Sequence, residues 1–236
     1  MSIYHELLYR PILNLLVYLY NVIPGHDIGL AIIFVTLIIR LVLYPSFRSS
    51  LKSQKALQEI QPKMEEVKDK HKDDKQAQME AMMKVYKEHK VNPLSSCLPL
   101  LVQLPVILAL FQVLNTQLPK QTIEGLYSFV SNPGALDPIS FGLVNLAKGN
   151  ALLAAIAALL QYFQTRMLQP KTKSGVKMEL TASIMQKQML YFLPAITFFI
   201  ALKLPAGLPL YWAVSTLFAI AQQWFIIRQR TNISQA

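Results

Sequence analysis

Acidic residues are missing from every long apolar stretch of this chain. Segments 28–47, 94–116, 150–168, 189–204 and 208–227 contain no Asp or Glu. That excludes an intramembrane carboxylate for proton relay, metal binding or peptide hydrolysis. Cysteine is almost absent too: Cys97 stands alone, so neither an intramolecular disulfide framework nor a thiolate metal cluster is available. The histidines, His5, His26, His71 and His89, all fall outside the apolar stretches. There is no HExxH, no GxSxG and no Walker loop. His71 with Asp73 and Asp74 is the nearest thing to a metal cluster, and within DKHKDDK (residues 69–75) it reads as a solvated turn. The expectation is a non-enzyme with no catalytic residue, no metal and no cofactor.

Charge is sparse. Only 15% of the 236 residues are charged, against about 25% in ordinary soluble domains, while 53% are hydrophobic and the mean hydropathy is +0.34. The composition points to an all-α, polytopic membrane protein. Net charge is +10, and its placement orients the chain. Residues 48–93 hold eleven Lys/Arg and 166–187 hold five, followed by Arg228 and Arg230. On the other side stand Arg10 in 1–27, Lys120 and Lys148 in 117–149, and Lys203. By the positive-inside rule the basic segments are cytoplasmic. The expected order is an extracytoplasmic segment (1–27), a first transmembrane helix (28–47), a cytoplasmic helical hairpin (48–93), transmembrane helices two to five (94–228) and a short cytoplasmic tail (229–236). The localisation expected is a bacterial plasma (inner) membrane, with the N-terminus outside and the C-terminus inside.

No small-residue cleavage site follows the apolar run 11–23, PILNLLVYLYNVI. Glu6, Arg10, Asn14 and Asn21 cluster within about 80° of a helical wheel, the pattern of an amphipathic helix lying in the membrane interface. A signal anchor or short first span is the alternative. Span four, 189–204, reaches only about 24 Å at helical rise, short of the usual hydrocarbon core. In span two, Pro99 and Pro105 are expected to kink the helix.

The segment 48–93 repeats apolar residues at helical spacing, Leu57, Ile60, Met64 and Val67, then Met79, Met82, Met83 and Tyr86. With the polar turn at 69–75 between them, this predicts an antiparallel helical pair, Pro62 fitting the first turn of a helix better than its interior. Its eleven basic and eight acidic residues suit either a solvated surface or a face that contacts a partner or lipid.

Arg40 is the anomaly. It lies inside TLIIRLVLYP with no carboxylate in any span to pair with, and a central arginine costs about 2.5–3.5 kcal/mol on insertion scales. Phe47 lies seven residues on, about 10 Å by helical rise, which is deep for snorkelling. Hydration in a cavity open to the cytoplasm is the remaining option. Thr36, Arg40 and Tyr44 share one helix face. Gln103 in span two, Gln161, Gln164 and Thr165 in span three, and Trp212, Ser215, Thr216 and Gln223 in span five supply polar faces, for which helix–helix hydrogen bonding is the plainer reading. A positive cavity of this kind would attract acidic residues on a hydrophilic segment crossing the membrane.

Several separated motifs then occur in register. FVTLIIRLVLYP, LQPKMEEVKDKHKDDKQAQMEAMMKVYKEHKVNPLSSCLPLLVQLPVILALF and FLPAITFFIALKLPAGLPLYWAVSTLFAIAQQ together resemble the YidC membrane-protein insertases and their organellar relatives, over residues 28–228. The resemblance is to the short form without a large extracytoplasmic domain. It implies five spans, a cytoplasmic hairpin and a hydrophilic groove open to cytoplasm and lipid. It implies insertion of membrane proteins, alone or beside the Sec translocon. Arg40 matches the family's groove arginine, Gln103 its span-two glutamine and Trp212 a substrate-contacting aromatic; Thr36, Tyr44 and Thr216 would line the same groove. In the hairpin, Pro62 and Met64 of QPKM are the recognisable part. Implied partners are nascent membrane proteins, the Sec translocon, membrane lipids and, through the hairpin, the ribosome or signal-recognition receptor, with no direct contact to nucleic acid. An anion channel or transporter, and a structural scaffold or assembly chaperone, are the rivals from other classes.

Overall fold

Side-chain caps start three of the helices. Asp27 accepts from the Leu30 amide, Asp74 from those of Gln76 and Ala77, and Asn150 from that of Leu153. Each satisfies amides that the first helical turn leaves unpaired. The computed structural model describes residues 3–92, 98–118, 122–169 and 187–233. In chain order the helices are α1 (Arg10–Val22), α2 (Ile28–Val42), α3 (Tyr44–Lys70), α4 (Lys75–Glu88), α5 (Leu98–Gln117), α6 (Ala151–Met167), α7 (Leu193–Lys203) and α8 (Gly207–Ile233). π-helical turns at His5–Tyr9 and Gln188–Phe192 lead into α1 and α7. The chain is all-α apart from a two-residue antiparallel ladder, β1 (Ile139–Ser140) with β2 (Val144–Asn145). Its sequence carries no extended alternating run, and the ladder was not foreseen.

The first expected span is broken. α2 stops at Val42, Leu43 is its C-cap, and α3 sets off from Tyr44 at 65° to it. Pro45 sits in the first turn of α3. It has no amide to bond back to Leu41, and its ring would clash with that carbonyl in a continuous helix. Arg40 therefore lies in the last turn of α2, where its charge complements the helix dipole. Past the bend the Phe47 side chain still reaches Arg40, its ring centre 4.5 Å from the guanidinium carbon. Among the described residues no single helix is long and apolar enough to cross a membrane; α2 and α3 pass that test only as a bent pair.

Pro62 lies inside α3, not in a first turn. An interior proline costs about 3 kcal/mol. It is exposed, and it is flanked by the buried Ile60 and Met64, so packing of the inward stripe carries the helix past it. α4 returns antiparallel against α3. α5 continues through Pro105 as one helix, and α8 runs to Ile233, beyond the point where a tail was expected to begin. The start of the expected second span, within 93–97, and most of the basic segment 166–187, at 170–186, lie outside the described residues.

α1 is a member of the core. Leu13, Leu16 and Val17 are fully buried, and its polar residues bond the 122–149 segment. Asn14 donates to the Gly125 carbonyl and accepts from the Tyr127 amide; Asn21 donates to the Ser131 carbonyl. Arg10 lies over the Tyr127 ring, 5.0 Å from its centre. Asp27 completes this latch, accepting from Ser140 Oγ and the Phe141 amide. Burial raises the Asp27 pKa, but these hydrogen bonds, with those from the Leu30 and Gly29 amides, outweigh it and hold the carboxyl below its usual value.

The main core joins α1, α2, α5 and the start of α8 through Ile32, Val35, Leu110, Leu114, Leu208 and Tyr211. α6 packs on α7 and α8, with Ala154 and Ala157 buried at the contact, small enough to let backbones approach. The opposite face of α6 is apolar and exposed: Leu152, Ile156, Leu159 and Phe163 recur at i, i+4, i+7 and i+11. On α6, then, the inward face is small and polar and the outward face apolar, the reverse of a helix on the surface of a water-soluble bundle.

Candidate functional site

A cavity of about 470 Å³ opens between α2, α3, α5, α6, α7 and α8 at the end of the bundle where α3 leaves. The apolar core around Ile32, Val35 and Leu114 fills the bundle beyond it. Arg40 supplies the one charged side chain in its lining among the described residues; amides and hydroxyls supply the rest of its polarity.

Arg40 is only 8% exposed. Its Nε donates to Ser215 Oγ at 2.7 Å, and Nη2 donates to the same oxygen. The Phe47 ring lies 4.5 Å from the guanidinium carbon, a cation–π contact worth about 0.5–2 kcal/mol depending on desolvation. Among the described residues no carboxylate pairs with it. Thus the fork formed by Nε and Nη2, the edge best suited to a bidentate carboxylate, is engaged by a neutral hydroxyl. Ser215 is also a hydrogen-bond partner of the Tyr211 hydroxyl, to which Gln103 Nε2 donates. A chain Gln103–Tyr211–Ser215–Arg40 therefore joins α5, α8 and α2 behind the cavity.

The expected site residues divide. Arg40, Gln103, Trp212 and Thr216 all line the cavity. Thr36 does not: it is fully buried, one helical turn above Arg40, and its hydroxyl bonds the Ile32 carbonyl. Tyr44 falls just past the bend, off the lining, where its carbonyl accepts weakly from Gln222 at 3.4 Å. A straight helix would have kept Thr36, Arg40 and Tyr44 in one row; the break at Leu43 takes Tyr44 out of it. Pro62 and Met64 lie on the hairpin, away from the cavity. Tyr211, Phe47, Gln54 and Gln222 were not foreseen. Tyr211 and Ser215 stand four residues apart, on one face of α8, and Phe47, seven residues after Arg40, has the spacing of a same-face neighbour, which could have signalled it.

The family model described as "60Kd inner membrane protein" matches residues 18–233. The chain belongs to this family, that of the YidC-type insertases. Among its relatives, the "Membrane protein insertase YidC" of Fusobacterium nucleatum is 32% identical over 224 residues, covering 94% of this chain and 98% of that protein. The proteins of the same name from Geobacter sulfurreducens and Magnetococcus marinus are 33% and 34% identical, covering 94% and 93% of this chain. The chain spans little more than a third of those two, 37% and 35% of their lengths. Membership rests on the whole described bundle, since the matched range takes in α2 through α8.

Proposed function

We propose that the chain is a membrane-protein insertase that works without covalent chemistry or cofactor. The cavity around Arg40 receives a short hydrophilic segment of a nascent membrane protein from the cytoplasm, while the adjoining apolar segment leaves sideways into lipid along α6 and α8. The observation that carries this reading is a buried arginine with only neutral partners, set in an amide-lined cavity, inside a bundle whose outer faces are apolar. Water held there shortens the low-dielectric path for the polar segment, which lowers the barrier without a nucleotide site. The positive charge favours segments carrying Asp or Glu.

In this reading the bundle crosses the bacterial plasma membrane five times, by α2 with its bend, α5, α6, the Gln188–Lys203 stretch and α8. The N-terminus is outside; the α3–α4 hairpin and the C-terminus are inside. The basic segments at 48–93 and 166–187 support that orientation. Action alone or beside the Sec translocon follows from the family resemblance. The hairpin presents exposed Met79 and Met83 between Lys75, Lys84 and Lys87 on α4, which supports contact with lipid, the ribosome or a targeting receptor.

The test is replacement of Arg40 by Ala in cells depleted of their own insertase. Insertion of substrates with acidic translocated segments should fall while the variant accumulates normally. Normal insertion of those substrates would refute the charge-attraction step, and equal performance by Arg40→Lys would mark a point charge rather than a guanidinium fork.

A further inference from the structure

The cavity holds far more amide than charge. Gln103 on α5, Gln161 and Gln164 on α6, and Gln222 and Gln223 on α8 all line it. Gln223 is 2% exposed and its Oε1 is buried with no hydrogen-bond partner among the described residues. An arriving carboxylate cannot satisfy that oxygen, because it offers only acceptors. A lysine would, but it would meet the Arg40 charge in the same cavity. Side-chain hydroxyls and amides can donate to that oxygen as well, but only the peptide N–H recurs in a hydrophilic segment whatever its sequence, and a peptide carbonyl is the natural acceptor for the amide NH₂ groups. Spacing agrees: Gln161 and Thr165 on α6 are about 6 Å apart along the axis, close to the repeat of roughly 6.8 Å between like-facing residues of an extended chain.

We propose that the glutamines of α6 and α8 form a backbone-pairing surface, which receives the hydrophilic segment as an extended chain and recognises its peptide groups rather than its side chains. This rests on the reading of the cavity as the reception site and extends it to uncharged segments. Arg40 then tunes preference for acidic residues, while the glutamines supply acceptance of any polar sequence. The amide group suits this because each carries two donors and an acceptor, matching the alternating donors and acceptors of a backbone that must leave water.

The test uses the full chain in proteoliposomes and a cell-free-translated substrate whose translocated segment contains only Gly, Ser, Thr and Asn. Single backbone amides are replaced by esters through α-hydroxy acids, which removes the N–H and leaves the insertase untouched. Esters in the translocated segment should slow insertion by about two- to tenfold per key position, the worth of one hydrogen bond. Esters in the apolar segment should not. In the triple variant Gln161→Leu, Gln164→Leu, Gln223→Leu, insertion of the all-amide substrate should fall severalfold and ester sensitivity should vanish. Ester substrates inserting at the all-amide rate throughout, or ester sensitivity persisting in a folded triple variant, overturns the backbone-pairing surface alone. A wild-type protein that inserts neither neutral nor acidic substrates overturns the insertase reading and this inference with it.

Discussion

Replacing Ser215 by Ala should loosen Arg40 without emptying the cavity of charge. In the folded bundle Ser215 Oγ takes two guanidinium donors, Nε and Nη2. A hydrogen bond to a charged group contributes about 1.5–3 kcal/mol, more than a neutral one. Water in the adjoining cavity replaces part of that, since Arg40 borders the open volume. The Phe47 contact at 4.5 Å remains. The net loss should therefore be about 1–2 kcal/mol, which for a chain of this size lowers Tm by roughly 2–8 °C. Thermal unfolding of the purified protein in nanodiscs reads it directly. Ser215→Thr, which keeps the acceptor, should recover most of the loss. In a double-mutant cycle with Arg40→Met the two effects should be strongly non-additive, because they remove one interaction. Additive effects, or a Ser215→Ala variant as stable as the parent, would refute the claim that this hydroxyl holds the arginine.

Other parts of the fold give further expectations. Asp27→Ala should cost about 1–2 kcal/mol at neutral pH by removing a helix cap and the contacts to β1. Since the folded state holds the Asp27 carboxyl below its usual value, that contribution is present above the ordinary carboxylate pKa of about 4. It fades as pH falls through the lower native value, so the difference between Asp27→Ala and the parent should close in acid. Pro62→Ala should restore an amide hydrogen bond inside α3 and raise hydrogen-exchange protection around residues 58–66, with unchanged protection there counting against an interior proline. Gly149→Ala should lower Tm by several degrees, because a Cβ there would sit 2.6 Å from the Leu202 carbonyl oxygen, a backbone atom that cannot swing aside.

Periodicity made the helices legible. Asn150 as a cap and the Ala/Gln face of α6 are local features, and the expected span 150–168 and the helix Ala151–Met167 nearly coincide. Composition likewise led to Arg40, because an unpaired cation among apolar residues is conspicuous on its own. What local pattern could not supply is the break at Leu43. Pro45 was visible, but hydropathy runs through it unbroken, and a straight helix was the simpler reading. That bend takes Tyr44 away from Arg40, whereas Thr36 stays one turn away on α2 and is excluded by its burial in the core. The partners of the α1 polar stripe were illegible for a related reason. Asn14 and Asn21 look interfacial by composition, yet their partners are carbonyls and amides more than 100 positions away in the chain, and backbone groups of a distant loop leave no trace in a helical wheel.

The central claim is that a substrate chain passes through the cavity beside Arg40. Site-specific photocrosslinking tests it most directly, with a photoreactive residue at Trp212 or Thr216, which line the cavity, and at Leu217, which faces away and is 56% exposed. With stalled nascent chains whose polar segment has just emerged, adducts should form from positions 212 and 216 to that polar segment, and position 217 should give none with it. Equal labelling of the polar segment from all three positions, or none from 212 and 216, would contradict passage through the cavity.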